Sequence, residues 1–289
     1  MALDVIAAGE LYIDLVMSHL DRWPQPGEEA LARQFRREPG GGAAITAIGL
    51  AKLGMSTGIV GAVGEDGRWL VEMLARHGVD TSGIRAVSDE LTGTTVAVSS
   101  AADRAFFTHT GANRGLPEIA RAASFAARHL HWAGPVDRDL FRRVSNLTLS
   151  LDVGFAHANR ETMDALPLVD LFFPNQIEAE RMTGESDPEA MLSAFARAGA
   201  RTVVLKMGER GAAMRIGLRL LHVAPPCVIP VDTTGAGDCF NAGFLFAWLR
   251  GKNPEECLRS GNLCGALSTR AMGGVAGFPT AEEIACLEK

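Results

Sequence analysis

Val231-Asp-Thr-Thr-Gly-Ala-Gly-Asp-Cys-Phe-Asn-Ala-Gly-Phe244 is the most informative stretch of the 289-residue chain. It follows a segment marked by Pro225, Pro226 and Pro230 and leads into a nearly unbroken apolar run from Cys239 to Leu249. A run that is apolar on every side predicts a buried helix. Gly235, Ala236 and Gly237 form a glycine-rich turn that opens it. The first turn of a helix holds N–H groups without intrahelical partners, at the positive end of the dipole. The expected product is an anion hole. Two readings fit Asp238 in that turn: an N-terminal cap, or an acid placed to take a proton where negative charge develops.

Outward from this point, strands and helices alternate. Short apolar runs at 3–9, 57–63, 129–133, 147–153, 169–173 and 202–207 read as buried strands. Helical patterns cover 43–53, 67–77, 117–128, 175–183 and 188–198. The alternation predicts a three-layer α/β/α fold with a mostly parallel central sheet. Ligands in such sheets sit beyond the C-terminal ends of the strands. Residues 11–18, 30–37, 94–100 and 105–110 break the alternation and read as short extra strands. They predict a small β-strand lid, in segments of about 11–39 and 91–111, within one domain spanning 1–289.

Charge and composition exclude several classes. Lys plus Arg is 28 and Asp plus Glu is 34, a net charge of −6. That argues against nucleic acid or an anionic membrane as partner. A nucleotide stays compatible, because amides at a helix N-terminus hold phosphate without net positive charge. Glycine is in surplus at 32 residues, with 13 prolines and no Gly-x-y period, so the chain is neither collagen-like nor low-complexity. The surplus marks turns and close backbone approaches. Five cysteines without a C-x-x-C pair predict neither a disulfide framework nor a zinc site, and point to a reducing cytoplasm. Asp4 interrupts the N-terminal apolar run and no basic segment precedes it, so no signal peptide is expected. No run of about 20 apolar residues predicts a membrane span. Neither a Walker A motif nor G-x-G-x-x-G after a strand occurs.

Asp232-Thr-Thr-Gly-Ala-Gly-Asp238, continued by Cys-Phe-Asn-Ala-Gly243, resembles the C-terminal signature of the ribokinase-like (pfkB-type) carbohydrate kinases. The likeness extends along the chain. Gly40-Gly41-Gly42 before a helix, then Lys52-Leu-Gly54 and Val60-Gly-Ala-Val-Gly-Glu-Asp66, is similar to the N-terminal signature. Pro174-Asn175-Gln-Ile-Glu178 resembles the Asn-x-x-Glu motif, and Lys206-Met-Gly-Glu-Arg-Gly211 the Gly-x-x-Gly strand end. Ala266-Leu-Ser-Thr-Arg270, with Gly273, Gly274 and Gly277-Phe-Pro279, is similar to the nucleotide loop.

This resemblance implies an ATP-dependent, Mg²⁺-assisted kinase acting on a hydroxyl, above all a hydroxymethyl, of a sugar or sugar derivative. It makes Asp238 the general base and the amides of Gly235, Ala236 and Gly237 the cradle of the transferring phosphoryl. It places Asp14, Gly41, Gly42, Ile45 and Asp152 at the acceptor. Around the nucleotide it places Asn175, Glu178, Lys206, Gly208, Gly211, Asn262 and Gly274. Glu178 would meet Mg²⁺ through water, although Asn175 and Glu178 also read as a helix capping pair. Asp232 and Thr234 are implied at a monovalent-cation site, for K⁺. Ile45 stands where many members carry Asn, and Asp152-Val-Gly-Phe-Ala replaces Asp-x-Asn-x-Arg. The first departure points toward an acceptor that is modified, deoxygenated or anionic at that end, and the second points away from fructose. A nucleoside or phosphosugar kinase is the alternative within the fold. A silent sugar- or nucleotide-binding regulator is the alternative outside catalysis, and the intact Asp238 counts against it.

His129 and His131 flank Leu130 and share one strand face, where solvation at a strand end is expected. Arg104 and Arg114 fall at the lid, where a surface placement and a contact with an anionic acceptor both fit. Exposed lid edges predict a homodimer through the lid.

Overall fold

Val5 and Ala7 belong to one hydrophobic core, and Ile6 and Ala8, which alternate with them, to a second. Successive side chains on a strand point to opposite faces, so a strand buried on both faces reads as one continuous apolar run. The computed structural model describes residues 3–99 and 104–287. Its strands in chain order are β1 (Leu3–Gly9), β2 (Tyr12–Leu20), β3 (Ala32–Gly40), β4 (Thr57–Val63), β5 (Asp80–Ala86), β6 (Gly93–Ser99) and β7 (Arg104–His109). They continue as β8 (Ala127–Ala133), β9 (Thr148–Asp152), β10 (Leu171–Phe172), β11 (Thr202–Lys206), β12 (Ala212–Ile216) and β13 (Arg219–Val223). The large sheet has the order β13-β12-β11-β10-β9-β8-β1-β4-β5. From β11 to β5 every pairing is parallel, and β12 and β13 add an antiparallel hairpin at one edge.

The helices cover both faces, as the alternation predicts. The Ala236–Leu249 helix packs with the Gly42–Lys52 and Pro254–Ser268 helices over one face. Phe244 meets Phe173 edge-on and stacks with Phe240. Pro188–Arg197 covers the other face through Met191, Leu192 and Phe195.

The lid is a separate sheet of order β3-β2-β6-β7, with β2 and β6 parallel and the outer pairs antiparallel. Its junction with the large sheet is clamped by one side chain. Asn113 accepts from Leu11 N (2.9 Å) through Oδ1 and donates to Leu11 O (2.8 Å) through Nδ2, and it is buried. Gly93 leaves it room, because a Cβ there would stand 2.3 Å from Asn113 Nδ2. The turn of residues 101–103 expected between the last two lid strands lies outside the described residues.

The structure differs from expectation in several places. The helix expected over 117–128 ends at Ala122, because residues from Ala127 onward pair with β1 as β8. Sheet pairing overrides the local helical pattern there. β5 and the β12–β13 hairpin escape a search for apolar runs, since β5 is polar and half-exposed and β13 is largely exposed. The Pro254–Ser268 helix carried a legible start signal, because Asn253 and Glu256 form a complete capping box.

Asn113→Leu should leave both buried backbone groups of Leu11 unpaired. At roughly 1–3 kcal/mol for each such group, the urea midpoint is expected to fall with the slope unchanged. An unshifted midpoint would show that the clamp does not stabilise the fold.

Candidate active site

The Ala236–Leu249 helix begins at Gly235, whose φ of 71° is left-handed. Only glycine adopts that conformation readily. A Cβ at Gly235 would also stand 2.8 Å from Gly274 Cα and 3.0 Å from Ile45 Cδ1. No side chain caps this helix, and the Asp238 carboxylate accepts no hydrogen bond from the described residues. The capping role for Asp238 is therefore not the one observed. Its Oδ1 instead faces Gly42, where a Cβ would come to 2.9 Å.

Beneath Asp238 lies a buried cation–carboxylate cluster. Lys206 Nζ, at the end of β11, donates to Asp152 Oδ2 at 2.6 Å. Asn241 Nδ2 donates to the same oxygen at 2.5 Å, and Asn241 Oδ1 accepts from Lys206 at 3.3 Å. Burial pushes Asp238 up to about 7, the Asp152 and Glu178 charges add to the rise, and Lys206 opposes it. Glu178 is likewise pushed up to about 7 by burial and by Asp152. Burial works against an ionised Asp152, yet the Lys206 charge and the bonds from Lys206 and Asn241 hold it below the usual carboxylate range. Burial alone would lower Lys206, and Asp152, Glu178 and Asp238 together raise it above its ordinary value.

Around this centre the other expected residues fall as follows. Asn175 and Glu178 form a complete capping box, with both bonds at 2.9 Å and Glu178 buried. Asp14 lies on β2 against Gly40, where a Cβ would come to 2.1 Å from its Oδ1. Burial, then Glu38 and Asp232, push Asp14 up to about 7. Gly41 precedes the Gly42–Lys52 helix, and Gly208 and Gly211 flank a short turn after β11. Asn262 Nδ2 donates to Val223 O (2.7 Å), fixing the end of β13. Asp232 shapes its own loop: Oδ1 accepts from Thr234 N and Oγ1, and Oδ2 accepts from Gly273 N. A cavity of about 670 Å³ opens beside Asp232, Thr234 and Met272 under the lid residues Val16 and Ala97. It lies at the lid end of the cleft, and Asp238 does not line it.

One expectation is corrected, for His129 and His131, and three other residues are engaged within the protein. Ile45 is 3% exposed and lies against Gly235 and Gly274, at the glycine turn. Asp152 is committed to Lys206 and Asn241 and is 8% exposed. His129 and His131 are fully buried rather than solvated, with Ser150 Oγ bridging His129 Nε2 and His131 Nδ1 at 2.8 Å each. Arg114 is held by both carboxylate oxygens of Glu90, while the side chain of Arg104 lies outside the described residues. Asn241 was missed, although its position three residues beyond Asp238 in an apolar run was a readable signal. Glu10 and His157, at the same end of the sheet, carried none.

The glycine turn and open helix N-terminus fit the phosphates of ATP. Among the described residues no three His, Cys, Asp or Glu side chains converge to hold a metal. The buried Glu178 carboxyl would stand toward a Mg²⁺ ion, which would supply charge neutralisation on the phosphates.

A model of the pfkB family carbohydrate kinases matches residues 2–281. The chain is 27% identical to a ribokinase of Haemophilus influenzae, over 95% of each chain. It is 32% identical to an ATP-dependent ribose-1-phosphate kinase of Halopiger xanaduensis, over 97% of this chain and 96% of that one. The structure of Arabidopsis thaliana ribokinase complexed with ribose and ATP aligns with a TM-score of 0.86 at 28% identity, covering 100% of this chain and 99% of that one.

A carboxyl whose value is higher folded than unfolded binds its proton more tightly in the native state. It therefore withdraws stability as pH rises from about 4 through 7. Asp238→Asn should raise the unfolding free energy of the ligand-free protein at about pH 7.5 by at least ~1 kcal/mol more than at about pH 5. Equal effects at the two pH values, read by urea titration, would refute the raised value.

Proposed function

The chain belongs to the pfkB family of carbohydrate kinases, and from that premise we propose that it transfers the γ-phosphoryl of ATP to a hydroxymethyl group of a sugar or sugar derivative. The observation that carries this reading is the Asp238 carboxylate, unbonded, pushed up to about 7 and beside the open N-terminus of a buried helix. A base with a value near the working pH combines availability with proton affinity. The acceptor hydroxyl gives its proton to Asp238 as its oxygen attacks. The amides of Gly235, Ala236 and Gly237 receive the charge of the transferring group. Mg²⁺ on the phosphates neutralises charge when bound.

Asp14, Gly41 and Gly42 border the acceptor in this reading. Lys206, Gly208, Gly211, Asn262 and Gly274 border the nucleotide, with Asn175 and Glu178 toward the metal. Asp232 and Thr234 serve a K⁺ ion, supported by the carboxylate-centred loop they build. Residues 1–289 act as one catalytic unit with the lid closing over it. Cys227, Cys239 and Cys257 are thiols, which favours the cytoplasm. The lid supports a homodimer: Phe35 and Phe107 are 60% and 63% exposed on one lid face, in register with Met17 and Leu15.

Asp238→Asn should lower kcat by about 10³ with the KM for ATP nearly unchanged, read as ADP release over hexoses, pentoses, their phosphates, sugar acids and nucleosides. Transfer surviving in that variant would sink the base assignment, and tight ATP binding without transfer in the wild type would favour the regulator. In sedimentation velocity the wild type should run at twice its 30.7 kDa chain mass, and Phe35→Ser with Phe107→Ser should return it to the monomer. A monomeric wild type would reject the lid dimer.

A further inference from the structure

Glu10 follows β1, and its N–H donates to Ala133 O at 3.1 Å. Ala133 is also the residue whose Cβ a methyl on Gly42 would meet at 3.2 Å, beside Asp238 Oδ1. Glu10 and Asp238 therefore border the same strand end. Two glycines press on Glu10: a Cβ on Gly41 would come to 2.3 Å from its carbonyl oxygen, and one on Gly134 to 3.6 Å from its Cγ. Glu10 Oε2 lies 3.3 Å from His157 Nε2, and these side chains keep 21% and 27% exposure. His157 is delivered by the short turn after β9 and held by Thr162, whose Oγ1 donates to its carbonyl at 2.7 Å.

We propose that Glu10 and His157 form the acceptor-recognition pair of this kinase, and that they select an uncharged polyol by binding two adjacent hydroxyls at the end remote from the phosphorylated carbon. The proposal rests on the kinase reading and names its substrate class. A carboxylate accepts and an imidazole donates, which matches a vicinal diol, whose hydroxyls do both. The carboxyl groups on this side of the cleft weigh against the anionic classes. Glu10, Asp14 and Glu38 are carboxyl groups, and Glu38 lies directly opposite Asp14 in the lid register.

Most of the nearby cations are committed. Lys206 is bound to Asp152, Arg36 lies 3.9 Å from Glu38, and Arg181 sits over the Phe155 ring at 4.7 Å. Arg33 borders the outer cavity but stands seven residues from Gly40 along β3, roughly 23 Å away at strand rise. A phosphate or carboxylate at Glu10 would meet like charge, with His157 the basic group beside it. An acceptor lacking the hydroxyls would leave Glu10 and His157 bonded to one another and gain nothing from the pair, and sites built for hydroxyls discriminate strongly against such analogues.

The test is steady-state kinetics on neutral pentoses, hexoses and alditols, against the same sugars carrying a distal phosphate or carboxylate. The wild type should favour a neutral acceptor by about a hundredfold in kcat/KM. Glu10→Ala and His157→Ala should raise the acceptor KM by about 10- to 100-fold, with kcat and the KM for ATP within about threefold. Glu10→Gln, which keeps shape and removes charge, should narrow the gap between neutral and anionic acceptors. A wild type that prefers an anionic acceptor overturns the proposal, as does an acceptor KM unmoved in both alanine variants. Should either alanine variant lose its fold by circular dichroism, the narrowing in Glu10→Gln decides. No transfer by the wild type to any acceptor refutes the kinase reading instead.

Discussion

One buried ammonium holds the centre of this molecule together. Lys206 sits among the carboxyl groups of Asp152, Glu178 and Asp238, where the exchange of water for protein would otherwise be prohibitive for that much negative charge. The sheet delivers Lys206 and Asp152 from β11 and β9, with β10 between them. The buried helix delivers Asn241 against both and Asp238 one turn earlier. Lys206 and Asn241 keep Asp152 ionised, while burial first and the charge of Asp152 second push Asp238 and Glu178 up. The cluster thus divides its acids into one kept ionised for structure and others that hold protons readily.

The parts of the fold that could be read from sequence are those whose environment is the same along the chain. β1 from Val5 onward and β4 are buried on both faces, so those stretches carry no charge, and the fold class follows. The turn at Gly235 was readable because a buried helix with a glycine-rich start has few other uses. What stayed hidden depended on partners far away in sequence. Nothing local to His129 or His131 shows that Ser150, on another strand, will lie between them. Counting along a signature gives the position of Ile45 in the chain but not that it packs against Gly235 and Gly274, more than 180 residues on. Glu10 and His157 are 147 residues apart, and only the sheet order makes them neighbours.

The surplus of glycine now has a physical account at the site. Gly42 and Gly40 lack side chains where Asp238 and Asp14 come within touching distance of the backbone. A methyl group at either position would displace a carboxylate rather than merely fill space.

The Asn113 clamp has a consequence for how this protein can change over time. One amide side chain ties the lid to the large sheet at Leu11, in the manner of a strand neighbour. In the proposed transfer the small sheet borders the acceptor and the Gly235 turn the phosphate, and the two are built from separate segments of the chain. Substitutions in β2, β3, β6 and β7 can alter what is recognised while leaving the residues from Gly235 to Asp238 untouched. Such a division lets a lineage acquire new acceptors without re-evolving its chemistry.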